Sequence, residues 1–591
     1  MQFGYMGKIL RINLTGKKIK TQRLPSSFVK EYVGGKGFGT RLLYDELDKG
    51  VNPLSPENKL IFATGPATGT IVPTSAKVGL FFKSPLTGIY AESYSSGQIA
   101  PRIKWAGYDC IIIEGRSKNP VYIFIDEDYV KIEDAEHLWG KDTYYTEDAI
   151  RKDFGNDPNL RVASIGKAGE NLVKIACIEN DYWRCFGRCG GGAVMGSKRL
   201  KAIAIRGTKE VSVAHPEKLE SLTREIIKKM VESTLSFRLY GTPAMVDRVN
   251  QQGVFPTRNW QEGAFDEFKR INADSILNSV FVRNESCFAC PIACGKICKV
   301  KEGPYSGVLI SGPEYETIFA FGGLCEISDI KAICKMNDLC DRYGLDTMSA
   351  GNIVAFAIEA YKRGKLSANF PLEYGKPEAI IGLIELIAKR EGIGNLLAEG
   401  VKKASEELNL EDLAIHVKGL ELPGYDPRGL KALSLAYAIA TRGACHLRAC
   451  AYAFELDGVF DRFSMDLKKV DMLIDWEDRF TIFDSIILCR FARNVYHWED
   501  LKQIYESITG NEMTVNKLKE IADKITTLAR MFNVREGISR KDDALPSRFF
   551  SEAFSKGPSA QQVVDKVEFE KMLNEYYAKR RWNLDGIPKG L

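Results

Sequence analysis

Up to residue 208 the apolar positions fall in short runs, among them Lys8–Asn13, 59–63, 78–82, Cys110–Glu114, 121–125 and 202–205, each broken off by Gly, Pro or Asn. Runs this short, rich in Ile, Val and Phe and bounded by turn residues, predict strands. After Glu210 the period changes. Residues 218–232 and 377–390 carry apolar side chains at helical intervals, in the second case at Ile380, Ile381, Leu383, Ile384 and Ile387, which predicts amphipathic helices. The pattern describes an α+β chain: an N-terminal mostly-β domain over 1–208, then two mainly α-helical domains over 209–415 and 416–591. No internal repeat or low-complexity tract interrupts it.

A chain of 591 residues exceeds what one hydrophobic core supports. Its 82 basic and 77 acidic side chains leave a net charge of only +5, with no basic stripe of the kind nucleic acid demands. Nucleic acid is therefore not an expected partner. Fourteen cysteines are scattered from Cys110 to Cys489 without a small-domain framework, which suits a reducing compartment. The first residues lack an apolar signal-peptide core, and no stretch of about 18 uncharged apolar residues occurs. These features predict a cytoplasmic protein with no membrane span.

Chemistry concentrates in a few places. Cys287, Cys290 and Cys294 stand at spacings that let three thiolates take three corners of a cubane iron–sulfur cluster, with Cys489 far downstream as a fourth. Structural zinc also uses tight Cys pairs, but it needs a second Cys or His pair nearby. Here only Cys298 follows, so iron–sulfur is the stronger reading. Residues Arg184 to Lys198 form a glycine-rich loop flanked by Arg184, Arg188 and Lys198, suited to a phosphate or to a tight structural turn. The loop matches neither a P-loop nor a dinucleotide fingerprint. Gly344 reads as the end of one helix and Asp346 or Thr347 as the cap of the next. A partial echo of that corner appears at Asp484-Ser-Ile-Ile-Leu488-Cys489. A carboxylate at such a corner either caps a helix or grips an amino-pyrimidine edge. Glu314, Glu316 and His446 are candidate acid–base groups.

Together these residues resemble the tungsten-containing aldehyde:ferredoxin oxidoreductase family. The likeness runs nearly end to end through Gly65-Pro-Ala-Thr-Gly-Thr, Lys83-Ser-Pro-Leu-Thr-Gly, Ala193-Val-Met-Gly-Ser-Lys and Leu422-Pro-Gly-Tyr-Asp-Pro-Arg-Gly. The resemblance implies a bis-pterin tungsten cofactor resting on the β domain and covered by the two helical domains. It assigns Cys287, Cys290, Cys294 and Cys489 to a [4Fe–4S] cluster, Asp341, Leu345 and Asp346 to a first pterin corner, and Asp484 and Leu488 to a second. Arg184, Cys185, Gly187 and Arg188 fall on phosphate and pterin contacts, where magnesium bridges the two pterin phosphates, and Arg442 on a further cofactor contact. Lys77 replaces an Arg between cluster and pterin. Tyr94 and Ser96 stand at cofactor-loop positions where other members have Asn and Gly. Ile487 stands where the second corner usually has Gly, and an adjusted turn is expected because Ile does not take a positive φ cheaply.

Glu316 and His446 align with the acid–base pair facing the tungsten, and Tyr425 with a substrate-side hydroxyl. The implied reaction is oxidation of an aldehyde plus water to a carboxylic acid. Its electrons would pass singly to ferredoxin or to a dedicated ferredoxin-like iron–sulfur subunit. Lys296, Lys299 and Lys301 read either as a basic collar for that carrier or as a solvated charge run. Lys335 and Ile381 replace the Glu and His that bridge some homodimers through a metal, so that dimer is not expected. Two alternatives remain at this level: a catalytic subunit reducing acids or activated aromatic rings with the same cofactor, and a non-catalytic electron-transfer subunit.

Overall fold

The computed structural model describes residues 2–589. Six strands, β1 (Lys8–Asn13), β2 (Lys18–Arg23), β3 (Leu60–Ala63), β4 (Val78–Lys83), β5 (Tyr90–Ser95) and β6 (Cys110–Glu114), pair in the order β2-β1-β6-β3-β4-β5. A second sheet contains β7 (Val121–Asp126), β8 (Tyr129–Asp134), β9 (Arg161–Ser164), β10 (Ile178–Asn180), β11 (Arg184–Phe186) and β12 (Leu200–Arg206), ordered β11-β10-β9-β12-β7-β8. Within these sheets only β1 with β6 and β7 with β12 run parallel.

Alternation explains how the sheets pack. Leu10, Ile12, Phe62, Leu80 and Ile111 on one face of the first sheet share a core with Ile123, Ile125, Ile203 and Ile205 of the second. The opposite face, through Ile9, Ile61, Phe81, Tyr90 and Ile112, joins the large core that continues into the helical part. Burial on both faces makes β3, β4 and β6 read as unbroken apolar runs. The outer face of the second sheet, with Tyr122, Phe124 and Val162, is covered by Leu138 and Ile150.

Helices dominate from Pro216 onward, including Pro216–Ser233 and Pro377–Lys389. They do not form a separate body. The C-terminal helices Lys468–Ile486 and Val515–Arg535 pack against Gly35–Glu46 of the β-rich part, and Asn533 Oδ1 accepts the Tyr90 amide of β5 at 3.0 Å. A third sheet of β13 (Phe281–Glu285), β14 (Gly295–Lys299) and β15 (Leu309–Ser311) leaves β13 as an edge. Among the described residues no helix is long and apolar enough to cross a membrane.

Candidate active site

Three thiols come from the irregular segment between β13 and β14. Ala289 and Ala293, immediately before Cys290 and Cys294, are left-handed at φ 49° and 51°, which coils the loop tightly. Thr74 brings in the fourth: its amide donates to the Ala289 carbonyl at 3.0 Å and its carbonyl accepts from the Cys489 amide at 3.1 Å. All four thiols are half-buried. Burial, with Cys489 and Cys287 close by, pushes Cys290 up to about 12; burial, Glu314 and Cys489 push Cys294 well above the usual thiol range. The four thus form one group. Among the described residues no three His, Cys, Asp or Glu side chains converge closely enough to hold a single metal ion.

Arg184, on β11, stands beside this group with Nη2 3.0 Å from Glu285. Burial would weaken its charge, but Cys287, Glu285 and Cys294 hold its pKa above the ordinary value. Lys77 is half-buried, three residues beyond Thr74. The basic collar is corrected here. Lys296 is buried and donates to the carbonyls of Arg238 at 3.0 Å and Cys294 at 3.3 Å, so only Lys299 and Lys301 reach solvent.

Next to the cluster loop lies a buried ionic lattice. Glu92, inward-facing on β5, meets Arg448 at 2.7 Å and Lys36 at 3.2 Å, and accepts the Tyr94 hydroxyl at 2.7 Å. Burial opposes its charge, but Arg448, Lys36 and Arg442 overrule it and hold the carboxylate far below its usual range. Arg448 also reaches Asp484 at 2.9 Å, and Arg490 reaches the same carboxylate at 2.6 Å. Arg442 donates to the Glu92 carbonyl at 2.7 Å and to Cys445 Sγ at 3.0 Å.

Cations outnumber the carboxylates here, and buried Nε atoms of Arg442 and Arg448 and Nη1 of Arg490 have no partner. Orphaned buried donors are costly, and a surplus of them fits an anionic, phosphate-bearing ligand. Burial and Asp338 push the Asp341 carboxyl up to about 8 although Asn337 Nδ2 donates to it at 2.8 Å. Cys185 is exposed, and a Cβ added at Gly187 would meet only the Cys185 sulfur at 3.2 Å. That backbone is open to a ligand.

The rest of the glycine-rich segment serves packing. A Cβ at Gly192 would lie 2.2 Å from the Cys177 carbonyl, and one at Gly196 1.9 Å from the Gly169 carbonyl. Lys198 is buried, donating to the carbonyls of Pro56 at 3.1 Å and Gly115 at 3.3 Å, and is not a phosphate ligand. Arg188 spends its guanidinium on Asp346 at 3.3 Å and the carbonyls of Ala444 at 3.0 Å and Glu421 at 2.6 Å.

The first corner forms as the sequence predicts: Gly344 ends helix Ile330–Tyr343 at φ 70°, and Asp346 caps the next helix at the Met348 amide. Leu345 bridges to Ala176. The second corner corrects the expectation of an adjusted turn. Ile487 keeps the left-handed conformation at φ 75°, ψ 67°. The helix end is clamped by bare backbone, since a Cβ at Gly35 would lie 2.2 Å from the Asp484 carbonyl and one at Gly65 2.4 Å from that of Ile486. Tertiary packing therefore imposes a conformation costing about 1–2 kcal/mol in an L-residue. Leu488 is buried beside it.

Glu316 and His446 meet at the heart of this arrangement, with Nε2 3.4 Å from Oε1. Glu316 Oε2 accepts the Gly424 amide at 3.0 Å. Burial pushes Glu316 up to about 8 despite that amide and Arg188. Burial and then Arg188, Arg442 and Arg448 push His446 well below the usual imidazole value. The two are a neutral acid beside a neutral imidazole whose Nδ1 is buried without a partner. Tyr425 stacks on Tyr452 at 4.1 Å, with His446 at 5.6 Å from Tyr425.

Two family models cover nearly all of the chain: the aldehyde ferredoxin oxidoreductase N-terminal domain matches 9–207, and domains 2 and 3 of the same family match 218–590. The chain belongs to the aldehyde ferredoxin oxidoreductase family. It is 38% identical to the tungsten-containing aldehyde ferredoxin oxidoreductase of Pyrococcus furiosus and 39% to that of Thermococcus kodakarensis, in each case over 99% of this chain and 98% of the relative. Among solved structures it is similar to the active-site complex BamBC of benzoyl coenzyme A reductase with 1,5-dienoyl-CoA, at a TM-score of 0.86 and 27% identity, over 100% of this chain and 96% of that one.

As a member of this family the chain has an α+β fold, in which Glu316, His446 and Tyr425 stand together and Arg188 ties the corner at Asp346 to the Ala444 carbonyl. Ser96 stands apart in role, offering its carbonyl to Asn180 at 3.0 Å, and Tyr94 lies on a strand with its hydroxyl committed to Glu92. Sequence reasoning missed Glu92, Arg448 and Arg490. The available signal was a lone acid within the strand Tyr-Ala-Glu-Ser-Tyr-Ser and an arginine six residues beyond Arg442.

Proposed function

We propose that the protein oxidises aldehydes to carboxylic acids with water and delivers the two electrons singly to ferredoxin or a ferredoxin-like iron–sulfur subunit. The observation that carries this reading is the pairing of half-buried Glu316 with buried His446, 3.4 Å apart, with unpartnered atoms on both residues. Tungsten held by two pterins supplies two-electron oxidation when bound, and a [4Fe–4S] cluster supplies one-electron transfer. Arg184, Cys185, Gly187, Asp341, Leu345 and Asp346 would hold one pterin with magnesium, and Arg188, its guanidinium spent on Asp346 and two carbonyls, would brace that corner. Arg442, Asp484 and Leu488 would hold the other, with Tyr94 and Ser96 at the rim of the site and Lys77 between it and Cys287, Cys290, Cys294 and Cys489.

The pair divides the proton work. Glu316 Oε1 and His446 Nδ1 are the two atoms without a hydrogen-bond partner, free to meet the attacking water and, as the Nδ1–H, the aldehyde oxygen. That N–H donates to the aldehyde oxygen and stabilises the charge developing there. Deprotonated Glu316 takes the proton from the water that attacks the carbonyl carbon, and Tyr425 lends a hydroxyl on the substrate side.

A pH dependence follows from the raised carboxyl. Below about pH 8 the proton stays on Glu316, so the base form is lost as pH falls. Turnover should rise about tenfold per unit up to a midpoint near pH 8. His446, neutral throughout, should add no second limb between pH 6 and 8. A flat profile from pH 6 to 9 would remove Glu316 from the role of base.

The defining experiment is metal analysis of anaerobically purified protein together with an aldehyde-dependent viologen reduction assay. Tungsten with about four irons per chain and dye reduction are expected; iron without tungsten or molybdenum would make the chain an electron carrier. The likeness to benzoyl coenzyme A reductase over the whole chain favours one second reading, reduction of an activated ring. Dye reduction driven by a dienoyl-CoA instead of an aldehyde would select it.

A further inference from the structure

Helix Pro216–Ser233 buries Leu219, Thr223, Ile226 and Met230. Beside that stripe a second apolar row faces outward: Ile227, Val231, Leu235 and Leu239 follow at four-residue steps, across Thr234 and into the short helix Leu235–Tyr240. Four-residue steps place side chains next to one another on a helix face. Leu235 is 51% and Leu239 48% exposed, and the short helix buries no residue. The neighbouring edge strand β13 adds Val282, 49% exposed, and is held to the helix by Asn284 Nδ2 donating to the Arg238 carbonyl at 3.2 Å. A contiguous exposed apolar surface marks a place where another molecule sits.

The short helix rests on the segments that carry the cysteines. A Cβ at Gly241, which ends it, would lie 2.9 Å from the Cys294 carbonyl. Lys296 Nζ ties the Arg238 carbonyl to that of Cys294. Phe237 stacks at 4.7 Å on Phe491, two residues beyond Cys489. The surroundings are cationic: Lys228, Lys229, Arg238, Arg283, Lys299 and Lys301 are all exposed. Arg224 is already engaged by Glu220 at 2.6 Å, and Glu217, Glu225 and Glu232 offset these cations along the helix pair.

We propose that this face, formed by the end of helix Pro216–Ser233, helix Leu235–Tyr240 and β13, is the docking site for an acidic one-electron iron–sulfur protein. The inference rests on the reading of the four cysteines as a cluster. One aldehyde and one water give one carboxylic acid, two protons and two electrons, and two oxidised carriers each gain one electron in successive dockings. The cationic rim steers an acidic carrier to the surface, and the apolar centre sets how long it stays.

The test uses the anaerobic holoenzyme with an acidic single-cluster ferredoxin as probe, comparing wild type with the double variant Leu235→Glu/Leu239→Glu and with Leu584→Glu, an exposed leucine elsewhere. The double variant should raise the Kd measured by calorimetry, and the KM for ferredoxin, at least tenfold. Viologen turnover should stay within twofold of wild type, and Leu584→Glu should change nothing. Unchanged ferredoxin affinity in an enzyme active with viologen would overturn the docking site alone, as would a wild-type dimer in sedimentation that the double variant dissociates. Failure of the wild type to reduce viologen or to contain iron would instead strike the functional reading beneath it.

Discussion

Glu316→Gln is expected to lower aldehyde-dependent viologen turnover by about 10²- to 10³-fold, the usual range for removing a general base. Glutamine keeps the shape, and its amide oxygen can still accept the Gly424 amide that the carboxylate receives at 3.0 Å. What disappears is a group that can take a proton from water. Iron and tungsten contents should match wild type, since the side chain touches neither the cysteines nor the arginine lattice. The rise toward pH 8 should vanish with the activity. Turnover within twofold of wild type, at unchanged metal content, would show that Glu316 moves no proton in the rate-limiting step.

The second large effect concerns Arg448, which is buried and joins Glu92 at 2.7 Å to Asp484 at 2.9 Å. Arg448→Leu takes one direct ion-pair partner from each of two buried carboxylates and leaves Glu92 to Lys36 and Asp484 to Arg490, a change expected to cost up to about 3–5 kcal/mol. Chemical denaturation should report it as a lowered midpoint, and metal analysis as loss of the heavy metal with iron largely retained. The double variant Arg448→Leu/Glu92→Gln should recover part of the stability, because a carboxylate left without its partner costs more than the pair contributes. It should not recover the heavy metal if the guanidinium grips the ligand through its unpartnered Nε. A single variant as stable as wild type would mean that Lys36 and Arg490 alone neutralise the site.

Much of this arrangement was legible in the chain because its signals are local. The strands were visible because burial on both faces leaves no polar alternation in β3, β4 or β6. The first corner was visible because a glycine after a helix and an aspartate before the next are favoured within a single turn, and Gly344 and Asp346 take those places. Three of the cysteines announced themselves by spacing. Glu316 and His446 did not: alone, each was one acid or one imidazole among many, and only family resemblance raised them.

Lys296 and Ile487 mark where local reading fails. A lysine beside a cysteine cluster reads as exposed charge, yet this one is buried because carbonyls of Arg238 and Cys294 converge on it. An isoleucine argues against a left-handed turn, yet Ile487 adopts one because the glycine backbones at Gly35 and Gly65 lock the helix end. In both cases the deciding groups come from elsewhere in the fold.

The sequence by itself determined the kinds of elements, the close spacing of Cys287, Cys290 and Cys294 and the first helix corner, because propensity and capping act over a few residues. Only the tertiary structure decided that Arg448 joins Glu92 of β5 to Asp484, that Glu316 faces His446 across 130 positions of chain, and that cations are left in surplus there. Pairing and burial at such separations follow from how sheets and helices pack, and burial shifts each group's proton affinity.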